Sequence, residues 1–442
     1  MINNDAAGRS PGSMRTTVLA SVIGSVIEWY DFFLYATMAA LVFNKAFFPE
    51  FDPLIGSLIA FVTFAAGFVT RPIGGLIFGH FGDRLGRKKI LILTMLIMGG
   101  SSFLMGLLPT YAAVGAIAPV ILLVLRMLQG IGLGGEWGGA AILTFEHAPA
   151  GQRGRMSSWP QTGVPLGLLL STIAVDLASA GGDGPLVAWA WRIPFLFSAV
   201  LVGMGLFLRL RVAEPATFDA VVATDQRVRV PLLSVVRRFP KQILIGAGAR
   251  FSESITFNVY NAFILTYTST VLKVPKSYAL NGLLIASVAG FFLIPVAGRL
   301  SDRIGRRPVF GIGAAVALVS AFPVFALLDS KSMIFIWLAI LIGWTLGACT
   351  MFGPEAAFFA ELFPANVRYT GMSVVYQIGV LPSGAIAPAL SLWLVTRFSG
   401  SWPVAIYVMI AAATALTSLA FAKETAKKDI DAELLSAALT KQ

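Results

Sequence analysis

The chain has 442 residues, of which 57% are hydrophobic and only 12% charged, with a mean hydropathy of +0.80. A soluble protein of this length carries roughly 25% charged residues, so the composition excludes a soluble globular protein and calls for a bilayer as solvent. The net charge of +11 raises nucleic acid as a partner, but the basic residues fall at one set of helix ends, which is the mark of membrane topology.

Twelve apolar runs long enough to span a bilayer are expected at 17–43, 54–79, 89–108, 117–141, 157–177, 191–211, 241–268, 278–298, 308–328, 333–357, 369–393 and 402–422. Residues 1–16 are polar and the first run is too long for a signal core, so no cleavable signal is expected. The first run carries Glu28, Asp31 and Tyr35 at i, i+3 and i+7, on one helix face. The second carries Arg71 and leads into a basic, glycine-rich connection, Gly79-His80-Phe81-Gly82-Asp83-Arg84-Leu85-Gly86-Arg87-Lys88-Lys89. The fourth holds Arg126 and Glu136 among glycines. A charged stretch over 212–240 follows the sixth and separates a first half, 1–211, from a second, 241–442. The seventh run holds Arg250 and Glu253 at i, i+3, then Tyr260 and Asn261. After the eighth the basic connection returns as Gly298-Arg299-Leu300-Ser301-Asp302-Arg303-Ile304-Gly305-Arg306-Arg307. The single Cys349 lies inside the tenth run and excludes an intrachain disulfide framework.

An even number of spans puts both termini on one side. Lys45, Arg192, Lys273, Lys276, Lys331 and Arg397 fall on one face of the membrane and Arg71, Arg126 and Arg250 inside it. The rest of the 33 lysines and arginines lie on the other face, which the positive-inside rule makes cytoplasmic, with both tails and the central connection.

The halves match beyond the repeated connection. Glu146-x-x-Pro149-x-x-x-Arg153 corresponds to Glu361-x-x-Pro364-x-x-x-Arg368, Gln161 and Gly163 to Gln377 and Gly379, and Glu28, Phe32 and Tyr35 to Glu253, Phe257 and Tyr260. Duplicated halves of this kind place a substrate cavity between them, near the bilayer midplane. The twice-occurring pattern G-x-x-x-D-R-x-G-R-[KR] resembles the connection between helices 2 and 3 of the major facilitator superfamily. Glu28-Trp29-Tyr30-Asp31-Phe32, Arg71-Pro72-Ile73-Gly74-Gly75, Arg126-Met127-Leu128-Gln129-Gly130, Gly134-Gly135-Glu136-Trp137 and Trp191-Arg192-Ile193-Pro194 narrow the resemblance to its metabolite:proton symporter family. Ala40-Leu41-Val42-Phe43-Asn44 and Arg250-x-x-Glu253 are most similar to the shikimate-transporter branch, while Gly353-Pro354-Glu355 departs from it. The resemblance implies an all-α membrane protein of twelve transmembrane helices in two pseudo-symmetric six-helix bundles, in a bacterial inner membrane.

A charge in hydrocarbon costs at least about 2.5–3.5 kcal/mol, so each intramembrane charge is expected to be paired or to face a wet cavity. Glu28 and Asp31 are the first candidates for a proton site. Asp31 is preferred because it sits near mid-depth, as Arg71 does, and Asp31 is expected to neutralise Arg71. His80 and His147 both lie at cytoplasmic helix ends, so a midplane proton carrier must be a carboxylate; Glu136, Glu253 and Glu355 are further candidates beside Glu28 and Asp31. Arg126 and Arg71 are suited to grip a substrate carboxylate bidentately, with Arg250 as a third cation that its neighbour Glu253 can neutralise. Tyr35, Gln161, Tyr260, Asn261 and Gln377 could serve substrate hydroxyls, although such residues also act as helix-packing glue. Glu136 is expected in a cytoplasmic polar network with the basic connection.

The resemblance also implies that Asp83 sits against the N-terminus of span 11, where a helix dipole favours an anion. Arg84, Arg87 and Lys88 would then bridge the halves and close an inner gate, with Asp302 and Arg303 as the second copy. The expected activity is import of a small organic carboxylate by proton symport with alternating access. The substrate is a shikimate-like hydroxy acid or, alternatively, a di- or tricarboxylate such as 2-oxoglutarate or citrate. An exporter of the same fold without proton coupling is disfavoured, because Gly163-Val164-Pro165-Leu166-Gly167 lacks the exporter pattern in span 5. No nucleotide loop, metal-ligand cluster or nucleophile–base pair is present, so neither enzyme activity nor a cofactor is expected. The partners are an organic anion, protons and the lipid bilayer, without nucleic acid, and a monomer suffices.

Overall fold

The computed structural model describes residues 11–439 apart from 52, 385 and 428. Among these residues the secondary structure is helical throughout. The twelve spans are α1 (Pro11–Met38, extended by a π-helical turn at Ala39–Phe43 and by Asn44–Phe47), α2 (Pro53–Leu85), α3 (Arg87–Leu107), α4 (Ile117–His147), α5 (Gly163–Ser179), α6 (Arg192–Leu210), α7 (Pro240–Asn258), α8 (Lys276–Ile304), α9 (Arg306–Asp329), α10 (Met333–Ile340, Leu341–Cys349 and Thr350–Glu361), α11 (Arg368–Gly384 and Ile386–Phe398) and α12 (Trp402–Phe421). Ten qualify as membrane spans on length and composition alone. The other two are α7, which carries Arg250, Ser252, Glu253 and Ser254 buried in the bundle, and α11, which is described in two pieces. α7 continues through π-helical turns at Val259–Phe263 and Tyr267–Val271.

The repeated basic connection is almost wholly helical, not a loop. α2 runs on to Leu85 and α8 to Ile304, so each reversal is confined to one glycine. Gly86 has φ +110° and Gly305 φ +112°, a region that side chains strongly disfavour. This explains why the glycine recurs in register: without it the helix could not stop and restart within a single residue. Most spans extend past their apolar runs in the same way, which carries Asp83, Glu146, Asp302 and Glu361 on rigid helix ends.

Within the first bundle α2 and α4 pack backbone to backbone. A Cβ on Gly134 would lie 2.6 Å from the nitrogen of Gly75 and closer still to the carbonyl oxygen of Arg71, so only glycine permits this approach. One apolar cluster fills the first bundle, around Tyr30, Phe43, Met98, Trp191 and Phe195. A second lies mostly in the other bundle, around Phe263, Phe325 and Trp344, and reaches Trp29 and Val164 of the first. A third spans both, joining Phe78, Trp137 and Phe145 to Phe310, Phe359, Phe363 and Tyr376. The bundles therefore meet in part through apolar side chains, and α5 faces α8 and α2 faces α11. Leu177, Val319 and Leu244 are among the large apolar residues that point outward, as a lipid-facing surface requires.

Candidate functional site

The polar stripe on α1 is divided among different partners. Glu28 accepts from Arg71 Nη2 at 3.0 Å, both groups being buried. Asp31, fully buried, instead accepts from the hydroxyls of Ser102 on α3 at 2.6 Å and Ser198 on α6 at 2.9 Å. The expected Asp31–Arg71 pair is therefore corrected to Glu28–Arg71. Three residues further along a helix turns by about 300°; the small angular step between Glu28 and Asp31 aims one at α2 and the other at α3 and α6. No cation forms an ion pair with Asp31 among the described residues. Tyr35, one turn beyond, exchanges a hydrogen bond with Thr63 at 2.9 Å.

Arg126 on α4 is buried without a carboxylate partner among the described residues. Its guanidinium lies over the rings of Tyr35 and Phe64, at 4.2 and 4.7 Å from their centroids, donates to the Phe64 carbonyl at 3.3 Å and donates to Gln129 Oε1. Gln129 Nε2 donates to Ser102 Oγ at 2.6 Å, and Ser102 in turn donates to Asp31. A hydrogen-bonded chain, Arg126–Gln129–Ser102–Asp31, thus joins the unpaired cation to the unpaired carboxylate through two neutral groups.

In the second bundle Arg250 is compensated twice, by Glu253 on its own helix and by Glu355 on α10 at 3.1 Å. Its guanidinium lies 3.9 Å from the ring centroid of Tyr376 on α11. Tyr376 stacks on Trp137 of α4, with ring centroids 3.8 Å apart and planes 21° from parallel. Trp137 Nε1 donates to Gln161 Oε1 at 2.9 Å, and Gln377 Nε2 crosses to the Gly134 carbonyl at 3.0 Å. The repeat-related glutamines therefore both bond to α4, Gln161 to Trp137 and Gln377 to Gly134. Gln161 Nε2, Gln377 Oε1 and the Tyr260 hydroxyl are buried with no hydrogen-bond partner among the described residues. Asn261 is half-buried further along α7.

The two intramembrane groups sit above a belt of ion pairs. Asp83 accepts the backbone N–H groups of Tyr369 at 3.1 Å and Thr370 at 2.9 Å, and the Thr370 hydroxyl at 2.7 Å. Asp302 repeats this in the other bundle, accepting the N–H groups of Gly154 and Arg155, both at 2.8 Å. Each aspartate thus caps the first turn of a helix in the opposite bundle, where unsatisfied N–H groups attract an anion. Arg87 reaches Glu146 at 3.2 Å and the Ala365 carbonyl at 2.7 Å. Arg306 mirrors it on Glu361 at 3.0 Å. Arg368 joins Glu146 across the interface at 2.9 Å and Asp431 of the C-terminal tail at 2.7 Å.

Arg84 and Arg303, expected in cross-bundle bridges, stand exposed, and no ion pair reaches them among the described residues. The helices run on past both positions and turn them outward, leaving the inward places to Arg87 and Arg306. Lys88 donates to the Leu210 carbonyl at 2.8 Å, within its own bundle. Glu136 also stays within the first bundle, paired with Arg209 of α6 and accepting from Thr94 at 3.0 Å, not with the basic connection. The restarted helices have caps too. Glu214 accepts the N–H groups of Arg87 and Lys88, and Glu424 those of Arg306, Arg307, Thr425 and Ala426. Burial pushes the Glu214 carboxyl above the ordinary range despite those donors. At Glu424 burial pushes upward as well, but the four N–H donors outweigh it and hold the carboxyl below that range.

Sequence reasoning missed Ser102, Ser198 and Arg209. Hydroxyls in apolar runs are common helix glue and carry no signal; Gln129 was also not singled out, although it stands one turn from Arg126.

Known proteins with similar sequence or fold agree with this architecture. The family model described as Major Facilitator Superfamily matches residues 21–384 and 247–436. The shikimate transporter of Escherichia coli (strain K12) is 41% identical over 91% of this chain and 94% of its own. An inner membrane metabolite transport protein of the same organism is 38% identical over 94% and 96%, and its proline/betaine transporter 32% over 95% and 85%. Among solved structures, that of a proton:xylose symporter bound to 6-bromo-6-deoxy-D-glucose covers 96% of this chain and 99% of its own, at TM-score 0.77 and 20% identity. An inward open conformation of the xylose transporter from E. coli gives TM-score 0.66 at 20% identity, over 96% and 99%. Its twelve helices in two bundles, the repeated basic connection and this family match together make the chain a transporter that belongs to the Major Facilitator Superfamily.

Proposed function

We propose that the chain imports a small hydroxylated carboxylate, with shikimate or a similar cyclic hydroxy acid as first choice, by proton symport and alternating access. The observation that carries this reading is Arg126: a buried guanidinium without a carboxylate partner among the described residues, connected through Gln129 and Ser102 to an Asp31 without a cation. A guanidinium so placed offers its fork to a substrate carboxylate. Asp31 is the proton carrier, because protonation removes a buried negative charge that neutral hydroxyls alone balance. Arg71 and Arg250 are held by Glu28 and by Glu253 with Glu355, so they shape the field more than they grip substrate. Among the described intramembrane arginines that leaves Arg126 without a carboxylate, which favours a monoanion over citrate. Gln161, Gln377 and Tyr260 carry unpartnered polar atoms suited to substrate hydroxyls, with Asn261 and Tyr35 at the margins. The 41% identity to a shikimate transporter supports the same substrate class.

Asp83 and Asp302, with Arg87, close the cytoplasmic gate by capping α11 and the short helix Arg153–Ser158 ahead of α5. Opening inward requires both caps to be released. In this reading residues 1–211 and 241–442 are the two moving bodies and 212–240 the link between them. Both termini are cytoplasmic on the charge distribution, the membrane is a bacterial inner membrane, and one chain forms the whole pathway.

Uptake into proteoliposomes tests the proposal, using shikimate, quinate, 2-oxoglutarate, citrate, protocatechuate, proline and betaine, each with and without an inward proton gradient. Accumulation of a hydroxylated monocarboxylate only when the gradient is present is the expected result. Gradient-independent uptake, or a preference for citrate or betaine, overturns it.

A further inference from the structure

α7 and α10 hold a set of charges that does not balance. Arg250 and Glu253 lie one turn apart on α7 and are ion-paired. The same Arg250 nitrogen, Nη1, donates to both oxygens of Glu355 on α10, at 3.1 and 3.3 Å. All three side chains are more than nine-tenths buried, at 6%, 1% and 0% exposure. The Nε of Arg250 is buried too, with no hydrogen-bond partner among the described residues. No second cation forms an ion pair with either glutamate among the described residues.

The other faces of the cluster supply no positive charge. α11 contributes the Tyr376 ring. α10 contributes the neutral Cys349, within electrostatic reach of Glu253. From the first bundle, Arg71 and Glu28 act on Tyr376, but they are already paired with each other. One guanidinium therefore faces two carboxyl groups inside a bundle with no water-like dielectric. With both carboxyls ionised, one negative charge is left uncompensated there, which is strongly unfavourable. Two acids that share one site resolve this by holding a single proton between them.

We infer that Glu253 and Glu355 together form a second proton-binding site, separate from Asp31, which takes one proton from bulk water. Binding converts one carboxylate oxygen to a carboxyl O–H and brings the net charge of the triad from −1 to zero. The proton belongs to the pair, and neither glutamate owns it. Each bundle then carries a protonatable site of its own. The second is reported to the interface through the ring stack of Arg250, Tyr376 and Trp137. The inference does not depend on Asp31 or Arg126 having the parts proposed above.

Infrared spectroscopy of the purified full-length chain at neutral pH tests it, by the carboxylic-acid C=O band that an ionised carboxylate lacks. In Glu355→Gln, the remaining Glu253 faces Arg250 alone and stays ionised. Glu253→Gln leaves Glu355 in the same position. Each single variant is expected to lose one carboxyl equivalent of band intensity relative to its parent, in the wild-type and the Asp31→Asn backgrounds alike. The double variant is expected to lose no more than either single one. Thermal melting should be near wild type for both single variants, since each keeps one carboxylate against Arg250. If one single variant does not fold, the other gives the same reading. Full band intensity in the folded single variants, or loss of two equivalents in the double, overturns the site. Loss of accumulation in Asp31→Asn concerns only the first proton site and is scored separately.

Discussion

Glu28 and Arg71 lie 3.0 Å apart, and that pair gives the two acids of α1 different surroundings. Glu28 is bound to a cation and stabilises the bundle. Asp31, less than one turn away, is left to two serine hydroxyls and is free to change its charge without breaking an ion pair. The two acids should therefore fail in different ways. Asp31→Asn keeps the shape and the serine contacts, so it should fold like wild type yet lose gradient-driven accumulation while sparing exchange of internal for external substrate. Glu28→Gln leaves Arg71 uncompensated and should cost roughly 3–5 kcal/mol of stability. Melting curves beside counterflow and uptake assays separate these outcomes; an Asp31→Asn protein that still concentrates substrate removes Asp31 from the mechanism.

Arg126 is tested by affinity. In the proposed site Arg126→Ala removes the cation offered to a substrate carboxylate and should weaken binding by roughly 2–5 kcal/mol, which is more than tenfold in Kd. Arg126→Lys should recover only part of this, because an ammonium offers neither the fork nor the same fit over Tyr35 and Phe64. Calorimetry on purified protein with shikimate checks it, and an unchanged Kd in Arg126→Ala sinks the assignment.

In the proposed gate the caps made by Asp83 and Asp302 hold the cytoplasmic side closed from opposite bundles. Asp83→Asn keeps the shape but loses the anion, about 0.3–1 kcal/mol of helix-terminus interaction. It should shift the equilibrium toward inward-facing by up to about fivefold, with little change in substrate affinity. Asp302→Asn should act alike, and the two together further than either. Accessibility of single cysteines placed along the cytoplasmic ends of α5 and α8 reports the shift. Wild-type labelling with normal transport rates in the double variant argues against a gate here.

Glu424 and Glu214 occupy repeat-related positions but titrate in opposite senses. The Glu424 carboxyl is held below the ordinary range, so its stabilisation is present above that range and is lost as pH falls through the lowered value. The Glu214 carboxyl is pushed above it, so its contribution is full below the ordinary range and is lost as pH rises through the raised value. Relative to wild type, Glu424→Gln should therefore lose stability as pH rises, reaching on the order of 1 kcal/mol at neutral pH as for a helix cap. Glu214→Gln should gain over the same interval. Melting temperatures of both variants across the carboxylate range check the signs; parallel curves contradict them.

The sequence alone determined the class, the number of spans and the duplication. Those follow from local quantities: apolar runs long enough for a bilayer, basic residues biased to one face, and a motif repeated with its glycine in register. It also identified Glu28, Asp31, Arg71, Arg126, Arg250 and Glu253 as the groups in need of partners, because a charge in hydrocarbon is conspicuous wherever it falls. Which partner each one found was decided only by tertiary structure. Glu28 and Asp31 differ by a small rotation about one helix, and which neighbour each meets depends on how α2, α3 and α6 pack against α1. The same packing brings Glu355 to Arg250, Arg209 to Glu136, and two serines to Asp31 from helices 71 and 167 residues away in the chain. Hydroxyls and ion pairs of this kind leave no periodic trace in sequence, since each partner is fixed by the rotation and depth of a separate helix.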